Sequence, residues 1–86
     1  MYVVVHHRVI DRDKFLATDP RDIGGNAPDG VEVLQFLPAR DASAADCLWQ
    51  AKSLDAVRSY LDPATSDSCE NTYFEVDSGY AMGLSA

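Results

Sequence analysis

Eighty-six residues, 47% of them hydrophobic, suffice for one small folded domain and are too few for two. Fourteen acidic against seven basic residues leave a net charge of −7. Lys and Arg are scattered singly, so there is no basic stripe to track a phosphate backbone and no nucleic-acid partner is expected. Val3-Val4-Val5 runs directly into His6-His7-Arg8, too short an apolar run for a signal segment or membrane span, so a cytoplasmic chain without membrane contact is expected.

The first strand is predicted over Tyr2–Val9, where β-branched valines suit a pleated, half-buried surface. Asp11 offers a carboxylate to the free amides of a short helix, and Ile10 is placed to pack on Phe15 as a hydrophobic staple. This helix should stop before Pro20, because proline disfavours helical geometry in the residue ahead of it. Residues 18–30 then read as a flexible loop; connections this long in a small domain cover a site or stay mobile. A second strand is predicted at about residues 31–37, stopped by Pro38, with a hairpin at 39–43 and a third strand at 45–51.

Ser53 is a good N-cap and Asp55 suits the positive end of the helix dipole. Leu54, Val57 and Leu61 recur at helical spacing, with Tyr60 able to widen the stripe. Asp62-Pro63 should end the helix, and a fourth strand is predicted at 71–76. In the tail, residues 77–86, Tyr80, Met82 and Leu84 alternate as a docking strand or arm would. The whole chain, residues 1–86, reads as one domain.

The order β-α-β-β-α-β is the ferredoxin-like pattern, an α+β fold whose antiparallel four-stranded sheet runs 4-1-3-2 with helices on one face. Period-two reading sets Val3, Val5, His7 and Val9 toward the helices and Tyr2, Val4, His6 and Arg8 on the opposite face. On the fourth strand it separates Thr72, Phe74 and Val76 from Asn71, Tyr73 and Glu75, the latter set expected beside His6 and Arg8. Chains this small gain buried area by pairing, so a homodimer through the second face, enclosing a partly polar cavity, is expected.

Candidate chemistry is sparse. His6 and His7 are strand neighbours and point to opposite faces, so a regular strand gives at most one of them to a given site. His6 reads as a polar lining residue, a metal ligand or a proton carrier, and His7 as a satisfied core or edge histidine. Glu75 and Tyr73 could share a site with His6, with Arg8 holding an anionic ligand or pairing with Glu75; a charged sheet margin is the simpler reading. Trp49 and Cys47 read as core against the second helix, with ligand stacking by Trp49 as the alternative. Cys47 and Cys69 lack redox or zinc spacing and read as free thiols, Cys69 exposed in a polar loop. Gly24-Gly25 lacks the spacing and the lysine of a phosphate loop.

The pieces V-H-H at 5–7, G-V-E at 30–32, C-L-W-Q-A-K-S-L-D-A-V-R at 47–58 and E-V at 75–76 resemble a group of small nickel-binding, ferredoxin-like bacterial proteins. The resemblance implies a dimeric α+β barrel with Ni or Zn near His6 or His7. With two histidines per chain, such a site must draw on Glu75, Cys69 or a second subunit. The expected function is therefore binding of a metal ion or small ligand in a sheet-face cavity, with His6, Arg8, Trp49, Tyr73 and Glu75 as contacts and His6, His7 and Glu75 as metal ligands. A cofactor-free dimeric-barrel enzyme of the monooxygenase or isomerase type, and a structural dimerisation module, are the alternatives.

Overall fold

The pleat of β1 (Tyr2–Val9) decides which side of the molecule is dry. In the computed structural model, which describes residues 1–84, Val3 and Val5 are fully buried and His7 nearly so, while His6 and Arg8 on either side of His7 face outward. The other elements are α1 (Arg12–Ala17), α2 (Pro20–Gly25), β2 (Glu32–Pro38), β3 (Ala44–Gln50), α3 (Leu54–Thr65) and β4 (Cys69–Glu75). The four strands form one antiparallel sheet in the order β2-β3-β1-β4, with β1 paired to both β3 and β4. This α+β arrangement of three helices and a four-stranded sheet is consistent with a ferredoxin-like fold. No helix among the described residues is long and apolar enough to cross a membrane.

The core lies between the helices and the sheet. Trp49 and Leu61 are its largest fully buried side chains, packed with Val3, Val5 and Val57. Trp49 meets the ring of Tyr60 edge-on, with centroids 6.2 Å apart, a favoured aromatic geometry. Ser53 caps α3 as its sequence predicts, its hydroxyl accepting from the Ala56 amide at 3.0 Å. The hairpin between β2 and β3 turns through Ala42 at φ 61°, with the Asp41 carboxylate accepting from the Ser43 amide. The left-handed residue is thus an alanine beside an aspartate-bonded turn.

Two helical stretches differ from the sequence reading. The predicted loop at 18–30 contains α2: Asp19 caps it by accepting from the Arg21 amide at 2.9 Å, and Pro20 occupies the first turn, where its missing N–H costs nothing. Gly24 lets α2 lie against β2, since a Cβ there would sit 2.7 Å from Val33 Cγ1. The Tyr60 hydroxyl of α3 donates to the Ile23 carbonyl at 2.5 Å and ties the two helices together. Likewise α3 runs through Pro63 to Thr65 rather than stopping at Asp62. The last turn persists because Thr65 is buried and its hydroxyl both donates to Leu61 O, at 2.9 Å, and accepts from the Asn71 amide.

The tail also departs from expectation. Residues 77–84 form turns and bends over the open sheet face rather than a strand, with Tyr80 and Met82 exposed; residues 85–86 of the predicted arm lie outside the described residues.

Pro63 removes one helical hydrogen bond from an exposed position of α3. Replacing it by Ala should stabilise the protein by about 2 kcal/mol, the roughly 3 kcal/mol helix penalty less about 1 for the more restricted unfolded chain. Urea unfolding followed by far-UV circular dichroism measures this, and a loss of stability would show that the final turn needs the proline.

Candidate functional site

A histidine set in a row of valines has two ring nitrogens to satisfy in a dry place, and the fold supplies a partner for each. His7 Nδ1 lies 2.6 Å from Asn71 Oδ1, and Nε2 lies 3.0 Å from Cys47 Sγ. The amide orientation follows from the other side of Asn71. Thr65 Oγ1, whose proton goes to Leu61 O, accepts from Asn71 Nδ2 at 2.8 Å. Tyr73 donates its hydroxyl proton to Asp62 at 2.5 Å and leaves its oxygen facing the same NH₂ group at 3.3 Å. Asn71 therefore presents its carbonyl to His7, Nδ1 carries the proton, and Nε2 is the lone-pair nitrogen that accepts from the Cys47 thiol.

Burial sets the resting charges. It lowers the His7 pKa below the ordinary 6.5, partly opposed by the Asn71 hydrogen bond, and pushes the Cys47 thiol up to about 12. Burial, then the hydrogen bond to the Asp62 carboxylate, holds Tyr73 protonated well above the usual phenol range. The relay from Asp62 through Asn71 and His7 to Cys47 thus rests as a chain of neutral groups ending on one carboxylate.

This chain reaches the floor of a cavity of about 250 Å³ between the sheet and the short helices. His7, Cys47 and Trp49 line its sheet side, Phe15 and Leu16 of α1 and Ile23 of α2 wall it, and Ser68 and Cys69 close one end. Phe15 is set by its ring contact with Phe36 of β2, centroids 6.5 Å apart. The lining is apolar apart from a few convergent groups, the usual character of a small-molecule site. One of those groups is unpaired: the buried indole Nε1 of Trp49 has no hydrogen-bond partner among the described residues. It lies near enough to the Cys47 sulfur to favour the thiolate slightly, without a hydrogen bond of good geometry.

The residues singled out in the sequence fall in three places. His6 and Arg8 are on the open sheet face, where His6 Nδ1 meets Asp46 Oδ1 at 2.7 Å and Arg8 pairs with Glu70, not Glu75. Trp49 lies in the core and on the cavity. Tyr73 and Glu75 are on the helix side, reversing the expected faces of β4, because the register sets Asn71 opposite His7, Tyr73 opposite Val5 and Glu75 opposite Val3. Phe74 lies opposite Val4 on the open face and is 56% exposed. The helix-facing slots of β4 go to Asn71 and Tyr73, half-buried, because α3 offers them Thr65 and Asp62 as partners, and a strand cannot change one residue's face without changing all.

The implied metal set does not assemble. His6 and His7 point to opposite faces, and exposed Glu75 lies four residues, roughly 13 Å, along β4 from the partner of His7. No group of three His, Cys, Asp or Glu side chains suited to a metal occurs among the described residues. Cys69, predicted as an exposed thiol, is 5% exposed, and burial raises its pKa. The expected sheet-face cavity is a groove under the tail, between Val4, Leu48, Phe74 and Met82. The partly buried polar site is on the other face, where residues 18–25 wall it as a covering connection would. Asn71, Thr65, Asp62 and the His7–Cys47 pairing escaped the sequence reading; the one local signal was a histidine in phase with the buried valines.

Comparison with protein families, with curated proteins and with solved structures found no match.

Because the folded state holds His7 neutral at a pH where the unfolded chain protonates it, folded molecules bind fewer protons below 6.5. Stability should therefore fall as pH drops from 6.5 toward the lowered folded value, by up to about 1.4 kcal/mol per pH unit, and be indifferent to His7 above that window. Urea midpoints compared with His7→Gln through this range measure it; equal slopes in both proteins would remove the assignment.

Proposed function

We propose that this chain binds a small, largely apolar organic molecule carrying one hydrogen-bond acceptor, in the cavity between the sheet and α1–α2. The mainly apolar cavity, with the unpaired indole N–H of Trp49 buried just behind its lining, carries this reading. A buried donor without a partner costs about 1–3 kcal/mol, and a carbonyl or carboxylate oxygen that draws the indole N–H toward the pocket would relieve it. The apolar wall supplies the affinity for the rest of the ligand. His7 and Cys47, already committed to each other and to Asn71, add a polar floor that fixes orientation. Metal binding through His6, His7 and Glu75 receives no support from this geometry.

Trp49 is the single tryptophan in the chain, so its indole N–H resonance in an amide correlation spectrum is unambiguous. Titration with small aryl ketones and aryl carboxylates should move it downfield with saturation. Trp49→Phe should weaken the same ligands roughly 3- to 10-fold, the worth of one hydrogen bond. An indole peak unmoved across the series would sink the proposal.

A second reading concerns the other face. Val4, Leu48 and Phe74 make an apolar stripe across β3, β1 and β4, and Leu37 at its flank is 61% exposed. The neighbouring polar groups are already partnered within the chain, Asp46 with the His6 imidazole and Arg8 with Glu70, so covering the stripe strands none of them. This favours a homodimer across the part of the face that the tail leaves open. Sedimentation should give a dimer mass for the native chain and a monomer for Phe74→Asp; a native monomer at micromolar concentration would count against it.

A further inference from the structure

We propose that Cys47 is a nucleophile toward the acyl carbon of a small ester or thioester held in the cavity, with His7 as its general base and Asn71 orienting that base. The proposal rests on the binding reading above and adds a reaction to it. Three roles are filled at hydrogen-bond distance: a thiol 3.0 Å from the unprotonated imidazole nitrogen, and the protonated nitrogen 2.6 Å from an amide oxygen locked by Thr65. This succession of nucleophile, base and orienting group is recognised by geometry, and recurs with cysteine, histidine and asparagine on unrelated folds. It stands at the floor of the cavity rather than in sealed core, since both Cys47 and His7 line it. Trp49 lines the same cavity, and a small turn of its indole would bring the unpaired, buried N–H to a carbonyl oxygen as it gains negative charge.

In the first step Cys47 Sγ attacks the carbonyl carbon and its proton passes to His7 Nε2. The bond from carbon to the leaving oxygen or sulfur then breaks, and the imidazolium returns the proton to the departing alcohol or thiol. A thioester remains on Cys47. Water, giving a proton to Nε2, attacks that thioester and releases the carboxylic acid, while the imidazolium reprotonates the Cys47 sulfur. The sum is hydrolysis, with no change of oxidation state.

The resting thiol is neutral, so proton transfer accompanies attack instead of preceding it, and this gives the test its readout. Acylation assisted by His7 should be level through neutral pH and fall only on acidification, as His7 takes a proton. A thiol reacting through its own ionisation would rise about tenfold per pH unit up to its pKa. The groups around His7 are Cys47 and Asp46 from β3, Asn71 from β4, its neighbour His6, Cys69 across the cavity lining, and Asp62 and Tyr73 behind Asn71.

The experiment is incubation of the purified protein with p-nitrophenyl acetate, following p-nitrophenol release and mapping acetyl groups by mass spectrometry. An acetyl group on Cys47, retained in Cys69→Ser, with a level neutral pH profile, is expected. His7→Gln should slow Cys47 acetylation roughly 100-fold or more, the usual worth of a general base. Asn71→Asp, which still accepts from Nδ1–H, should keep most of the rate, and Asn71→Ala should lose it and show a thiol-type rising profile. If His7→Gln does not fold, the profile of the unaltered protein decides. The unreactive p-nitroacetophenone, titrated against the Trp49 indole resonance, separates the two readings. A shifted indole with no Cys47 acetylation, or with a rate that rises tenfold per pH unit, overturns the nucleophile and leaves binding intact. An unmoved indole with no acetylation overturns both.

Discussion

Burying an imidazole in a valine row is the constraint from which much of the molecule follows. His7 takes the position on β1 that alternation would give a third valine, and a dry imidazole is tolerable only when both nitrogens are bonded. Satisfying Nδ1 calls for Asn71 directly across the β1–β4 pairing, which fixes that register. Asn71 in turn needs acceptors for its NH₂ group, and these come from Thr65 and from the Tyr73–Asp62 pair. The final turn of α3 is thereby held in place despite its proline. On the opposite side Nε2 engages Cys47 of β3. One side chain thus couples the central strand, both of its neighbours and the last turn of the long helix.

Such a network is cooperative in both directions. Each member is satisfied only while the others keep their places, and loss of one leaves several buried polar atoms unpaired. The surrounding apolar core, centred on Trp49, Leu61 and Val57, excludes the water that would otherwise compete. The same exclusion leaves the inner groups, His7 and Cys47, neutral.

Much of the backbone plan was legible because it rests on local periodicity. The valine-rich β1 reads as a strand, Ser53 precedes a helical stripe, and Pro38 and the 39–43 turn punctuate a hairpin. Where reading failed, a local rule met a distant partner. Pro20 was read as a stop signal, yet after Asp19 it begins a helix. Pro63 was read as a terminator, yet Thr65 is held from β4. The faces of β4 were inverted because Phe74 outranks Asn71 in hydrophobicity, whereas Asn71 has its bonds made inside. The site was still less visible: Cys47 lies 40 residues and Asn71 64 residues from His7, with no fixed spacing to reveal them.

The cavity's outer wall is built from α1 and α2, six residues each and with no fully buried residue in either. Isolated helices of that length do not persist in water; their order comes from the Asp11 and Asp19 caps, the Phe15–Phe36 contact and the Tyr60–Ile23 bond. The wall can therefore melt while the sheet and α3 stay folded, at a fraction of the free energy of global unfolding. The molecule is in this sense a rigid floor with a separately fusible roof. A guest in the cavity would reveal itself as slowed amide exchange confined to residues 12–25, even where the melting temperature of the whole barely moves.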